Sequence, residues 1–229
     1  MKKIGIIAAL ESEVMALRDE LKDSKVEHIA GADFHVGKIG KYEVVLMRCG
    51  VGKVAAGAGA QAMILAYKPD VIINTGCAGA IDTDLKVGDM VLSDSTVQWD
   101  MDTTAIGDPR GYISSLDTVE IKANKDLVDL IEKYIPRDTA VKRGIVCSGD
   151  QFVSNPTQRK TILDNFPNTK CAEMEGAAIG QVCAQNDVPF CVVRCMSDTA
   201  DGNSQTDYPT FSKLAGIKSA GVLIKMLND

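Results

Sequence analysis

The feature that most limits the fold is a set of short apolar runs separated by segments with helical periodicity. The runs include IGIIAAL at 4–10, VIIN at 71–74 and PFCVVRCM at 189–196. Continuous apolar runs of this length are typical of strands covered on both faces, as in a mostly parallel sheet flanked by helices. Strands that alternate with helices along the chain predict an α/β sandwich.

The segment Val26–Cys49 departs from this alternation and makes the predicted sheet mixed. It contains consecutive strand-like stretches joined at Gly31 and Gly40, a pattern typical of antiparallel hairpins. The predicted fold class is therefore α/β, a single-domain three-layer sandwich around a central mixed β-sheet, with residues 1–229 as one domain. The predicted strands are Ile4–Ala9, Lys25–Ala30, Phe34–Ile39, Glu43–Cys49, Val71–Thr75, Asp89–Ser93, Val141–Cys147, Thr169–Glu173 and Phe190–Met196. The predicted helices are one capped by Ser12 and those over Lys53–Tyr67, Asn124–Tyr134, Pro156–Asn165, Glu175–Gln185 and Tyr208–Leu227.

Charge and hydropathy exclude several classes of protein. Lys and Arg number 25 against 31 Asp and Glu, a net charge of −6, so nucleic acid is not an expected partner. No apolar run approaches the ~18–20 residues of a membrane-spanning helix, so no membrane partner is expected. The N-terminal apolar stretch leads into acidic residues instead of a signal-peptide cleavage site. These features predict a cytoplasmic protein.

Cysteine, histidine and glycine usage argues against a bound metal or cofactor. The seven cysteines are an odd number, which predicts free thiols that pack as small buried side chains. Two histidines are too few for a His-rich metal site. Gly50 and Gly52 precede a helix, but Ala55 replaces the third glycine of a dinucleotide fingerprint. We therefore predict no metal and no cofactor, and leave open whether each glycine serves a turn or a ligand.

Three carboxylates fall at strand-to-helix junctions on one edge of the predicted sheet, namely Glu13, Glu175 and Asp198. In open α/β sheets this edge is where ligands bind. One such residue is commonly explained by the helix dipole, worth ~0.3–1 kcal/mol. Three together, near Phe152 and Met174, favour hydrolysis of a glycosidic bond, because that reaction needs an acid for the leaving group and a base for water.

Seven motifs then indicate a family. In order they are IGIIAALESEV, CGVGKVAA, PDVIINTGCAG, LKVGDMVLSD, VCSGDQF, AEMEGAAI and VPFCVVRCMSDTAD. From Ile4 nearly to the C-terminus the chain resembles the nucleoside phosphorylase superfamily, and within it the 5′-methylthioadenosine/S-adenosylhomocysteine nucleosidases. The resemblance implies hydrolysis of the N-glycosidic bond of these two nucleosides, and of 5′-deoxyadenosine, to adenine and a 5-substituted ribose, in methionine salvage.

The resemblance also implies a role for each carboxylate. Asp198 is expected to protonate purine N7, so it must hold a proton near neutral pH. Glu175 is expected to hold the ribose hydroxyls and to stabilise the oxocarbenium-like transition state. Glu13 is expected to activate water at C1′. The implied substrate-binding residues, which include Phe152 stacked on adenine and the Val153 backbone on the purine edge, are Leu10, Val51, Cys77, Ala78, Gly79, Phe152, Val153, Glu173, Met174, Arg194, Ser197 and Tyr208.

The first loop favours a hydrolase over a phosphate-dependent phosphorylase. A phosphorylase must bind a phosphate dianion near C1′, but Ala9–Glu13 contains two carboxylates and no cation. Arg48 and Arg194 remain as phosphate ligands or as partners of carboxylates such as Glu173 and Glu175. A catalytically inactive nucleoside-binding or storage protein is the non-enzymatic alternative, although such a binder would be expected to lose one of the three carboxylates.

The 5′ end of the substrate is the open question. The resemblance implies a homodimer in which Thr103, Ile106 and Ser114 of a second subunit complete the 5′ pocket. These residues are smaller or more polar than is usual there, and Cys77 replaces a small polar residue. An aminofutalosine nucleosidase therefore remains an alternative to the methylthioadenosine reading.

Overall fold

The computed structural model describes residues 1–200 and 204–229. Its strands are β1 (Lys3–Ala8), β2 (Lys22–Ile29), β3 (Ala32–Ile39), β4 (Tyr42–Arg48), β5 (Val71–Ala80), β6 (Met90–Gln98), β7 (Ile121–Lys122), β8 (Val141–Ser148), β9 (Thr169–Glu173) and β10 (Phe190–Asp198). Its helices are α1 (Glu11–Glu20), α2 (Lys53–Tyr67), α3 (Lys125–Glu132), α4 (Pro156–Asn165), α5 (Gly176–Gln185) and α6 (Ser204–Asn228), with a short 3-10 helix at Thr104–Ile106.

The sheet is mixed and part of it closes on itself. Strand β1 lies parallel to β4 and β5, and the antiparallel β2, β3 and β4 extend the sheet to one edge. On the other side β5 pairs with both β10 and β9, and β10 continues through β6 and β8 back to β9. The predicted mixed sheet is confirmed, while the closure of β5, β10, β6, β8 and β9 into a barrel-like ring was not predicted.

Helices cover both faces of the sheet, which confirms the three-layer α/β arrangement. Helices α1, α3 and α6 pack on one face through Leu17, Ile131 and Leu223. Helices α2 and α5 pack on the other face through Met63 and Ile179. The strands are apolar on both sides because both sides are buried, as the continuous runs predicted. The carboxyl-terminal ends of the parallel strands lie between the two helical layers.

Strands β5, β6 and β10 run past their predicted ends, and helices α1 and α6 begin differently from the prediction. Strands β5 and β10 continue to Ala80 and Asp198, so residues expected to follow the strands lie within them. Ser12 is not the cap of α1, because the helix begins at Glu11 with Leu10 in the N-cap position. Glu13 accepts a hydrogen bond from the Leu10 amide instead, which satisfies a free N–H at the helix start.

Other features bear on the classes considered above. Among residues 1–200 and 204–229, no helix combines the length and hydrophobicity that crossing a bilayer requires. Within that same part of the chain, no group of three His, Cys, Asp or Glu side chains is placed to hold a metal ion. All seven cysteines are free, and all but the half-buried Cys49 are buried.

Candidate active site

A cavity lies at the carboxyl-terminal ends of β1, β5, β9 and β10. The loop after β8 and the described part of α6 close its sides. Its lining brings together all the predicted site residues except those of the second subunit. The lining consists of Ala9, Leu10, Glu13, Val51, Cys77, Ala78, Gly79, Gln151, Phe152, Val153, Ala172, Glu173, Met174, Glu175, Arg194, Ser197, Asp198 and Tyr208.

Glu13 is a buried carboxylate whose two oxygens accept hydrogen bonds from backbone amides. Its Oε2 accepts hydrogen bonds from the amides of Ala9 at 3.0 Å and Leu10 at 2.8 Å, and its Oε1 accepts from the Cys77 amide at 3.0 Å. Two glycines leave room for it. A Cβ at Gly76 would lie 2.7 Å from Oε1, and one at Gly216 would lie 2.9 Å from Cγ. The carboxylate is therefore held at the cavity wall by three amides, in space that the two glycines leave open.

A buried charge cluster lies next to Glu13. Arg194 is 1% exposed and forms an ion pair with Glu173, and its Nη2 lies 3.6 Å from Oε2 of Glu175. Glu173 also accepts hydrogen bonds from the Ser148 hydroxyl and from the amides of Glu175 and Gly176. Both oxygens of Glu173 are therefore engaged by other groups of the protein, whereas Glu175 has fewer such partners.

The surroundings of Glu175 raise the pKa of its carboxyl group. Burial, followed by the neighbouring charge of Glu173, raises its pKa from 4.5 to about 7, against the opposing effect of Arg194 and the Gly52 amide. The Gly52 amide donates to Oε1 of Glu175 at 3.0 Å. A positive charge that develops beside a carboxylate with a pKa of about 7 stabilises its ionised form, and the ionised form in turn stabilises that positive charge.

The other end of the cavity combines one carboxyl group with aromatic rings. Asp198 is 1% exposed, its Oδ2 accepts from the Ser197 hydroxyl at 3.0 Å and its Oδ1 accepts from the Ala200 amide at 3.1 Å. Phe152 and Tyr208 meet edge to face, with ring centroids 5.1 Å apart. A planar heterocycle can stack on such a ring, in a cavity that Asp198 also lines.

The Cys77 thiol lies in this cavity but is not activated. Burial and then the charge of Glu13 raise the pKa of the thiol well above its usual value. Only the thiolate is a good nucleophile, so Cys77 contributes a backbone amide and an apolar wall.

The two arginines left open by the sequence have different positions. Arg194 lies in the cavity wall and pairs with Glu173 and Glu175. Of the two alternatives given above, this is the one in which the arginine is a partner of carboxylates. Arg48 lies outside the cavity and is exposed, and its Nη1 lies 3.7 Å from Oε2 of Glu11, so the carboxylate it contacts is neither Glu173 nor Glu175. It is the last residue of β4, where the side chain points to solvent. In the part of the chain that the structure describes, no arginine other than Arg194 lines the cavity.

The three residues predicted for the second subunit's contribution lie outside the cavity of their own chain. Ile106 is 81% exposed, Ser114 is exposed and Thr103 is half-buried. Sequence reasoning did not single out Asn74 and Ser148, which contact Arg194 and Glu173, and it left open whether Gly52 serves a turn or a ligand. Asn74 gave a signal, because it is a polar residue in the apolar run VIIN and its side chain accepts from Arg194.

The comparisons with known proteins agree with this geometry. The model of the phosphorylase superfamily matches residues 3–228. A curated 5′-methylthioadenosine/S-adenosylhomocysteine nucleosidase of Shewanella pealeana is 41% identical over 229 residues, which cover 99% of each chain. The solved nucleosidase of Neisseria meningitidis, in complex with methylthio-immucillin-A, has a TM-score of 0.96 at 31% identity and covers 100% of this chain and 99% of that chain. A futalosine hydrolase of Helicobacter pylori has a TM-score of 0.93 at 30% identity, covering 99% of this chain and 97% of that chain.

The fold and the carboxylate-lined cavity thus define a protein of the phosphorylase superfamily. Within that superfamily, the chain belongs to the family of 5′-methylthioadenosine/S-adenosylhomocysteine nucleosidases.

Proposed function

We propose that this protein hydrolyses the N-glycosidic bond of 5′-methylthioadenosine and S-adenosylhomocysteine, and of 5′-deoxyadenosine, releasing adenine and the 5-substituted ribose. The observation that carries this proposal is the placement of three buried carboxyl groups, Glu13, Glu175 and Asp198, around one cavity with an aromatic end. Cleavage of this bond needs acid, base and stabilisation of a positively charged sugar at the same time.

The proposed mechanism divides these tasks among the three groups. Adenine stacks on Phe152, and Asp198 gives a proton to N7, so that the leaving group departs neutral. The sugar lies over Met174 with its hydroxyls on Glu175, which stabilises the oxocarbenium-like transition state by its charge. Glu13, fixed by three amides, takes the proton of the water that attacks C1′.

Water, not phosphate, is proposed as the nucleophile. The only arginine among the lining residues that the structure describes is Arg194, whose guanidinium is already paired with Glu173 and Glu175. A phosphate dianion near C1′ would also be repelled by Glu13.

The first experiment measures adenine release from 5′-methylthioadenosine in phosphate-free buffer. We expect turnover that added phosphate does not increase, with free 5-methylthioribose as the second product. Turnover that depends on phosphate and yields a sugar 1-phosphate would contradict the proposal, and tight binding without turnover would favour the inactive binder. The same assay with S-adenosylhomocysteine, 5′-deoxyadenosine, aminofutalosine and inosine compares kcat/KM across 5′ groups and bases.

The raised pKa of Glu175 predicts the pH dependence. Because kcat/KM reports the free enzyme, and Glu175 must be ionised to accept from the ribose hydroxyls, kcat/KM is expected to rise with pH through about 7. Glu173→Gln removes the charge that helps to raise this pKa while keeping a side chain that can accept from the two amides. The acidic limb is then expected to move to lower pH by about 1 unit.

A matched control for this profile is Glu43→Gln, which removes an exposed carboxylate on β4 far from the cavity. Its pH profile is expected to equal that of the parent protein. An acidic limb that stays in place in the Glu173→Gln protein, or moves to higher pH, would contradict the assignment to Glu175.

We also propose a homodimer in which Thr103, Ile106 and Ser114 of one subunit complete the other subunit's 5′ pocket. The support is the 81% exposure of Ile106 together with the exposed Val51 and Val54 beside the cavity. Ile106→Asp is expected to lower kcat/KM for 5′-methylthioadenosine more than for adenosine, which lacks the thiomethyl group. Light scattering that gives a monomer for the parent protein would contradict the dimer.

The proposed location is the cytoplasm. The seven free cysteines fit a compartment in which thiols stay reduced. Fractionation of the cells that express the protein tests the location, and recovery outside the cytoplasmic fraction would contradict it.

A further inference from the structure

The start of helix α2 contacts two parts of the site through consecutive amides. The Gly52 amide donates to Oε1 of Glu175 at 3.0 Å. The next amide, that of Lys53, donates to Oδ1 of Asp150 at 2.8 Å. Asp150 belongs to the loop that continues into Phe152 and Val153 in the cavity wall. The helix start therefore joins the proposed sugar carboxylate to the proposed base loop.

A charged pair outside the cavity holds the same two parts. The Lys53 ammonium lies 2.6 Å from Oδ1 of Asp100, and the two side chains are 17% and 14% exposed. The other oxygen of Asp100, Oδ2, accepts from the Asp150 amide at 2.8 Å. Lys53 also donates to Oε1 of Gln98 at 3.1 Å, which connects it to the end of β6. Asp100 thus touches the base loop directly and the start of α2 through Lys53.

The same segments also pack closely against each other at two glycines. A Cβ at Gly149 would lie 2.5 Å from Nε1 of Trp99 and 3.0 Å from Cγ of Asp100. Gly52 has a φ of +103°, and a Cβ there would lie 3.1 Å from Oδ1 of Asp150. Gly149 thus packs against Asp100 itself, and Gly52 packs against Asp150. We therefore expect a change in the charged pair to displace the base loop and the Gly52 amide.

We propose that Lys53 and Asp100 are positioning residues for the reaction, acting as a clamp that aligns the base loop with the amide donor of Glu175. Neither side chain lines the cavity, so the clamp acts through Asp150 and Gly52. The proposal rests on the proposed function, because it assigns the two clamped parts to the base and the sugar of one nucleoside.

The clamp has a consequence for pH that general destabilisation would not have. The Gly52 amide lowers the pKa of Glu175, so loss of that donor is expected to shift the acidic limb of kcat/KM to higher pH. The other groups that act on Glu175 or respond to its charge stay in place when the clamp is broken. They are Glu173 on β9, Arg194 on β10, Glu13 on α1, Cys49 after β4 and Tyr208 on α6.

The test compares Lys53→Met and Asp100→Asn with the parent protein on 5′-methylthioadenosine. Each variant is expected to lower kcat/KM by about 10- to 100-fold, mainly through a higher KM, because misplacement of positioning groups costs of this order. Each is also expected to move the acidic limb to higher pH. The double variant is expected to lose little more than either single one, since both break the same pair.

Two further variants keep the test specific. Lys53→Arg retains the positive charge and is expected to restore most of kcat/KM. Lys142 is at the start of β8, whereas the base loop follows the end of that strand, and its ammonium lies 2.8 Å from Oδ1 of Asp82. Lys142→Met removes this ammonium and is expected to leave KM and the pH profile unchanged.

Two failures can be told apart. If the parent protein releases no adenine, the proposed function is wrong. If the parent protein is active while Lys53→Met and Asp100→Asn keep its KM and its acidic limb, the clamp is wrong and the proposed function stands. Additive losses in the double variant would also overturn the clamp.

Discussion

Asp198→Asn is expected to lower kcat for adenine release by about 10²- to 10⁴-fold, the usual contribution of a positioned general acid. The amide has nearly the shape of the carboxyl group but has no acidic proton to give to N7. The leaving group would then have to depart as an anion. Steady-state kinetics on 5′-methylthioadenosine measures the loss.

The fold around Asp198 is expected to tolerate this change. The Asn carbonyl can still accept from the Ala200 amide, and the Ser197 hydroxyl, now facing the amide nitrogen, can donate to the Ala78 carbonyl that it already contacts at 3.3 Å. The Tm and the affinity for nucleoside should therefore stay close to those of the parent protein. Asp94→Asn, on the exposed position of β6, is the matched control. A kcat near that of the parent protein would refute the role of Asp198 as the acid.

Glu13→Gln is expected to lower kcat by a comparable factor, about 10²- to 10⁴-fold, for a different reason. The glutamine cannot take the proton of the attacking water. Its amide nitrogen must also face one of the three N–H donors that now bind the carboxylate. An unsatisfied buried donor costs about 1–3 kcal/mol, so the Tm is expected to fall as well.

The two effects of Glu13→Gln can be separated because the loss of base function persists at temperatures far below the Tm. The matched control is Glu11→Gln on the same helix, whose carboxylate lies at the surface beside Arg18. It should change neither kcat nor the position of the acidic limb. Activity that recovers fully once the protein is kept folded would show that Glu13 supports the fold and is not the base.

Much of the fold could be predicted because a strand that is buried on both faces appears in the sequence as a continuous apolar run. The run VIIN predicted strand β5 where it starts, and the Ala-rich Lys53–Tyr67 segment is helix α2 with those bounds. The end of β5 could not be predicted in this way. Gly76 and Gly79 favour turns by local preference, but both lie in the strand, and glycine fits there because Arg194, Glu13 and Asp198 occupy the space where a Cβ would project.

The positions of the proposed catalytic groups could be predicted from the strand ends, but their hydrogen-bond partners could not. The residues after each predicted strand contained every proposed catalytic group, because parallel strands bring their carboxyl ends to one edge. The partners of these groups were not predictable, since they come from distant positions. Ser148 and Glu173 are 25 residues apart, while Gly52 and Glu175 are 123 apart. At Ser12 a local preference gave a wrong prediction. Ser12 is a good N-cap residue by type, but Leu10 holds the N-cap position and the Glu13 side chain accepts from the Leu10 amide.

The sequence by itself determined that the chain forms an α/β sandwich with an acidic, apolar-lined edge and resembles nucleosidases, because apolar periodicity and residue order are properties of the chain. Only the tertiary structure gave two neighbouring carboxylates different surroundings. Glu173 and Glu175 are two residues apart and chemically the same, but Glu173 is saturated by Arg194, Ser148 and two amides. Glu175 keeps one amide donor and a raised pKa. The difference arises from desolvation and neighbouring charge, which exist only once the strands have brought these residues together.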